Sequence, residues 1–112
     1  MAYTLTYLER PGRTMSDDEL ASFVKELRAV AETCFDEVPY YQALTGERDE
    51  LANCVLTIAR RDDGTMAGFC SGILLDVEGL AHVLHMGLSC VHVDDRRAGL
   101  ARRLNDMMGR TY

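Results

Sequence analysis

The stretch Val91-His92-Val93-Asp94-Asp95-Arg96-Arg97-Ala98-Gly99-Leu100-Ala101-Arg102-Arg103-Leu104 constrains the fold more than the rest of the chain. It reads as an apolar strand, a tight basic turn and the first turns of a helix. The first helical N–H groups have no partner within the helix, and the helix dipole places partial positive charge there. Gly99 and Ala101 leave the backbone uncovered, so an oxyanion can approach those amides. Arg96, Arg97, Arg102 and Arg103 add positive charge in a chain whose net charge is −6. A strand that feeds a helix N-terminus through small residues is a phosphate-holding unit, and it places the chain among α/β proteins.

Upstream signals fill in the architecture. Tyr3-Thr4-Leu5-Thr6-Tyr7-Leu8-Glu9 is rich in β-formers and reads as a first strand, broken by Pro11-Gly12. Ser16-Asp17-Asp18-Glu19 has the form of a capping box. Leu20, Phe23, Val24, Leu27, Val30, Ala31 and Cys34 follow at helical spacing, which predicts a helix over 17–34. Residues 35–50 read as a loop or a short second helix. Cys54 to Arg60 is a strand, Asp62-Asp63-Gly64-Thr65 a hairpin turn with Gly supplying the positive φ, and 66–75 the return strand. Residues 82–93 read as a long strand with little alternation, as in a strand covered on both faces. A last helix begins near Ala98, ends near Gly109, and turns Leu100, Ala101, Leu104, Met107 and Met108 inward. The order is β-α-(α)-β-β-β-α, an α+β chain with a mixed sheet.

A chain of 112 residues suits one domain, 1–112. No apolar run approaches the roughly 20 residues of a membrane span, and the N-terminus lacks the basic and apolar regions of a signal peptide, so the expectation is a cytoplasmic protein without a membrane partner. The acidic balance argues against a nucleic-acid partner, whose binding rests on basic surface. Cys34, Cys54, Cys70 and Cys90 form no Cys-x-x-Cys pair and sit in apolar stretches, the setting of free core thiols. His82, His85, Cys90 and His92 invite a metal reading. On a straight strand, however, His82 and Cys90 lie about 27 Å apart at ~3.4 Å per residue, too far for one tetrahedral site, so no metal is expected.

The pattern Arg96-x-x-Gly99-x-Ala101 between a strand and a helix, with Val91-x-Val93 before it, resembles the acyl-CoA pyrophosphate loop of the GNAT superfamily of N-acyltransferases. Ile58-Ala59-Arg60, Gly64 and Met66-Ala67-Gly68-Phe69 are similar to that family's paired strands. The element order matches the first two-thirds of the GNAT fold. The resemblance implies transfer of an acetyl group from acetyl-CoA to a primary amine by direct attack, the amine belonging to a small molecule or a peptide. The backbone amides of Arg97, Ala98, Gly99, Leu100, Ala101 and Arg102, with Arg96 opening the motif, would hold the pyrophosphate. Val91 and Val93 would pair with the pantetheine arm as with an added strand.

The amine must lose a proton. Some relatives carry a Glu base on strand 4, about eleven residues before the loop, and that count lands on His85, whose imidazole titrates near neutrality. A purely structural His85 is the competing reading, and Glu78 is a weaker candidate base. Asp36, Glu37, Tyr40 and Tyr41 lie where the family's first helices border the acceptor, so they are placed either to steer a cationic amine or as a solvated loop.

The family continues past this helix with a splayed strand, a further helix and usually two more strands. By that comparison the C-terminal part of the usual fold is missing after Tyr112. The expectation is a homo-oligomer or completion by a second chain, because strand 4 otherwise has one neighbour and an open edge. A non-catalytic GNAT-derived fragment that binds CoA or pairs with another chain is the alternative. A small α/β regulatory module that uses the basic turn for another phosphorylated ligand is a third reading.

Overall fold

The structure, a computed structural model, describes residues 3–76 and 82–111. In order the elements are β1 (Tyr3–Glu9), α1 (Pro11–Thr14), α2 (Asp17–Glu32), a 3-10 turn (Gln42–Thr45), α3 (Arg48–Leu51), β2 (Cys54–Arg61), β3 (Met66–Asp76), β4 (His82–Val91), a second 3-10 turn (Val93–Ala98) and α4 (Leu100–Thr111). The strands form one sheet in the order β1-β2-β3-β4. Every described pair is antiparallel, where the sequence suggested a mixed sheet. The fold is α+β.

Local chemistry sets the boundaries. The Ser16 hydroxyl accepts from the Glu19 amide at 3.2 Å and the Glu19 carboxylate from the Ser16 amide at 3.1 Å, so the reciprocal cap starts α2 where expected. Helix α2 ends at Glu32, slightly short of the expected 34. Pro11-Gly12 does not merely break β1; it opens the short helix α1, with Pro at a first-turn position where its missing N–H costs nothing. The segment read as a loop or second helix holds both a 3-10 turn and α3. In the β2–β3 hairpin, Asp63 accepts from the Thr65 amide at 2.9 Å and from its hydroxyl, fixing the turn.

The sheet is covered on both faces, and period-two alternation along β2 assigns them. Cys54, Leu56 and Ile58 pack with Phe69 against Leu20, Phe23, Leu27 and Val30 of α2. Val55 and Ala59 pack with Cys70 and Leu74 against Leu100, Leu104 and Met108 of α4. Each large side chain buried here contributes about 1.5–3 kcal/mol. Of the residues expected inward on the last helix, Ala101 is exposed and Met107 half-buried, because α4 starts at Leu100 and its buried stripe is 100, 104 and 108. One buried polar bond crosses this layer: the Thr57 hydroxyl donates to the Leu104 carbonyl at 3.0 Å.

Two features of β4 prepare the site. It stands at the edge of the described sheet, paired only with β3. Its register also slips: Cys70 faces Ser89 and Gly72 faces Met86, so Ser71 opposes both Gly87 and Leu88. This is a β-bulge in β4, which re-aims the backbone around it. The strand ends at Val91 rather than Val93, because the chain turns at His92 into the second 3-10 turn.

Candidate functional site

The turn between β4 and α4 is anchored by a carboxylate that the sequence did not single out. Asp95 is 4% exposed. It accepts from Arg61 Nε at 3.1 Å and pairs with its terminal nitrogen, while the Tyr3 hydroxyl donates to its other oxygen at 2.7 Å. The Arg61 guanidinium holds this carboxyl below the usual aspartate range, against burial, with help from the Tyr3 hydroxyl. The same hydrogen bond raises the Tyr3 phenol. The turn is thereby tied to the ends of β1 and β2.

A second set of bonds ties it to the end of α2. The Thr33 hydroxyl donates to the Val30 carbonyl at 2.8 Å and accepts from the Val93 amide at 3.2 Å. Arg96 donates to the Thr33 carbonyl at 3.1 Å. The Val91 carbonyl accepts from Cys34 Sγ at 3.3 Å and from Arg96 Nε at 3.5 Å. His92 Nδ1 accepts from the Asp94 amide at 3.1 Å, closing the turn on itself.

Gly99 then takes φ of 66°, a left-handed conformation that suits glycine, and delivers the chain into α4. A Cβ placed there would meet nothing within 4 Å, so the backbone is open to approach. Beside it lies a cleft of about 480 Å³. Val91, Arg96, Gly99, Ala101 and Arg102 line it, all from the expected set, together with Ser89 and Cys34, which the sequence did not mark. Arg96 and Arg102 bring positive charge to the start of α4, so the cleft can hold an anion. Leu100 does not line it; its side chain is buried against the sheet. Ala98 is exposed in the turn, and for Arg97 the backbone alone is described. Asn105 braces the wall: it donates to the Ala101 carbonyl at 2.9 Å and accepts from Ser89 at 3.2 Å and Cys70 at 3.1 Å.

The two valines fall on different elements. Val93 lies beyond the strand, with its amide held by Thr33, so it is not placed as a ladder partner for an added strand. Val91 is in β4, and its carbonyl is occupied by a weak thiol donor and a long Arg contact. An incoming donor would have to displace them.

His85 pairs with Ile73 across the β3–β4 ladder, one residue before Met86 at the bulge; its side chain lies outside the described residues, as does Glu78 altogether. Tyr40 and Tyr41 are exposed, as is Phe35. Hydrogen bonding to Glu47 raises the Tyr40 phenol. Asp36 and Glu37 are also exposed. The four cysteines are free, and burial pushes the Cys54 and Cys90 thiols up to about 12, so these two pack as small hydrophobes. Among the described residues no three His, Cys, Asp or Glu side chains gather as a metal site, and no helix is long and apolar enough to cross a membrane. A separate hollow of about 360 Å³ lies beside Leu5 and α4. There Asp106 sits between Arg103 and Arg110 and offsets their charge, so it is a poorer anion site.

No protein-family model matches the chain, and no curated protein matches it in sequence. Solved structures do match in fold. An aminoglycoside acetyltransferase from an uncultured soil metagenomic sample, in complex with sisomicin, superimposes with a TM-score of 0.67 at 14% identity, over 98% of this chain and 69% of its own. A ribosomal-protein-alanine N-acetyltransferase from Brucella melitensis biovar Abortus 2308 gives 0.61 at 21% identity, over 97% and 70%. A candidate GNAT-family acetyltransferase from Desulfovibrio desulfuricans gives 0.64 at 16% identity, over 96% and 63%. The chain therefore has the fold of the GNAT acetyltransferases along nearly its whole length and spans about two-thirds of theirs.

Proposed function

We propose that the chain binds acetyl-CoA through the β4–α4 turn and serves as an N-acetyltransferase toward a primary amine. The observation that carries this reading is the cleft where Arg96, Gly99, Ala101 and Arg102 meet at the open N-terminus of α4. A pyrophosphate there would take N–H donors from the first helical turn and charge from two arginines. The fold supports the acyl-transfer chemistry, since the superimposed acetyltransferases named above share it. Their acceptors, an aminoglycoside and a ribosomal-protein alanine, support an amine as the acceptor class. The exposed Tyr40, Tyr41, Asp36 and Glu37 supply aromatic faces and carboxylates suited to a cation.

In this reading the thioester carbonyl is attacked directly by the neutral amine, and CoA leaves as the thiol. His85 is assigned as the base that takes the amine proton, on its place in β4 beside the bulge. The deciding experiment is calorimetry of acetyl-CoA against the wild type and Gly99→Glu. The wild type should bind and the variant should not, because a carboxylate would stand where the pyrophosphate goes. Absence of binding to the wild type would end the reading. His85→Ala should lower the rate of transfer about 10²–10⁴-fold with CoA affinity nearly unchanged; an unaltered rate at saturating amine would make His85 a structural residue.

A further inference from the structure

A buried amide on the α2 side of the sheet has no role in the turn chemistry. Gln42 opens the first 3-10 turn with φ of 47°, a left-handed conformation for a residue that carries a side chain. That costs about 1–2 kcal/mol and persists only where the surroundings over-determine it. They do so here. Gln42 is 2% exposed, and its Oε1 accepts from the hydroxyl of the fully buried Ser71 at 2.7 Å. Its amide rests on Gly87: a Cβ built on that glycine would come within 2.0–2.2 Å of the amide oxygen, carbon and nitrogen. Ser71 is the β3 residue that faces Gly87 and Leu88 across the bulge. Gln42, Ser71 and Gly87 thus meet at the bulge, and a side chain at 87 would have to push the Gln42 amide aside.

The other end of the amide is unused. Gln42 Nε2 is buried and has no hydrogen-bond partner among the described residues. A buried donor left unpaired costs about 1–3 kcal/mol, which a ligand oxygen would recover. Position along β4 identifies that oxygen. Gly87 stands two residues before Ser89, which lines the cleft, and about 13 Å along the strand from Val91 at ~3.3 Å per residue. A CoA thioester with its phosphates at the β4–α4 turn and its arm laid along β4 brings the acyl end to the bulge. The acceptor atom it carries there is the thioester carbonyl oxygen.

We propose that Gln42 is a substrate-positioning residue that distinguishes an acyl thioester from CoA lacking the carbonyl: its Nε2–H donates to the thioester carbonyl oxygen, and Ser71 and Gly87 fix the direction of that donor. This rests on the acyl-CoA reading above, and the test separates the two. Calorimetry on the whole chain compares acetyl-CoA with the S-ethyl thioether of CoA, which keeps the arm and lacks the carbonyl. Wild type should prefer acetyl-CoA about five- to tenfold, the size of one net hydrogen bond. Gln42→Met and Gln42→Leu, neither of which offers a donor, should each erase the preference and leave thioether affinity within about twofold, as one lost hydrogen bond allows. Circular dichroism confirms that the variants compared are folded. Equal wild-type affinity for the two ligands, or a preference that survives in either folded variant, overturns the assignment while the acyl-CoA reading stands. Failure of both ligands to bind removes the acyl-CoA reading and this inference with it.

Discussion

At the scale of single residues, Asp95 decides whether the β4–α4 turn keeps its shape. Its carboxylate is buried and shared by Arg61 and Tyr3, so removing its charge leaves a guanidinium facing an amide. Asp95→Asn should destabilise the fold by about 1–3 kcal/mol at neutral pH. The pH dependence has a definite sign. The native carboxyl titrates below its unfolded value, near 3.9. Its contribution is therefore present above that value and lost as pH falls through the depressed native one. Melting curves of wild type and variant should differ at pH 7 and converge in strong acid; a gap unchanged down to pH 2, well below the ordinary carboxyl value of ~3.9, would show that Asp95 does not titrate as described. The sequence could not mark this residue. Asp94 and Asp95 look alike in the chain, and only the approach of Arg61 and Tyr3, distant in sequence, separates a buried anchor from an exposed acid. Gln42 was silent for the same reason: its Ser71 and Gly87 partners come from different strands.

At the scale of elements, legibility followed the range of the forces. Helix α2 begins where the sequence placed it because its cap is local, a hydroxyl and a carboxylate three residues apart. Ser16→Ala should cost about 1 kcal/mol, read as a shift in the urea midpoint at constant slope; no shift would mean that tertiary packing alone fixes that end. The hairpin was legible through its Asp-Asp-Gly-Thr turn, and the helix after the basic turn through the spacing of Leu100, Leu104 and Met108. Strand β4 was overextended because apolar Val93 continues its pattern, whereas the His92–Asp94 and Thr33–Val93 bonds turn the backbone aside. Helix α4 starts two residues later than expected because left-handed Gly99 separates it from the 3-10 turn. The cleft residues were readable as a motif. Ser89 and Cys34 were not, since they reach it from the strand edge and from the end of another helix.

At the scale of the whole molecule, a sheet covered on both faces ends at β4, whose outer edge has no described strand beside it. Unpaired edge groups recruit partners, so residues 1–112 in isolation should associate through β4. Light scattering should show dimers or larger species whose proportion rises with concentration and falls when acetyl-CoA is added to cover the edge. A monomer at every concentration would show that the edge is protected by other means. The bonds at Thr33 carry a consequence of a different kind. This residue closes the last turn of α2 and also grips the turn that would take the phosphates. Whatever stiffens that turn must therefore suppress fraying at the end of α2, and the linkage runs both ways. Amide hydrogen exchange at Cys34 and Phe35, whose N–H groups donate to the Ala31 carbonyl, becomes a remote gauge of occupancy. The segment that carries Tyr40, Tyr41 and Gln42 follows directly on that gauge, so the side of the protein proposed to meet the amine would register the arrival of the proposed acetyl-CoA before any amine is present.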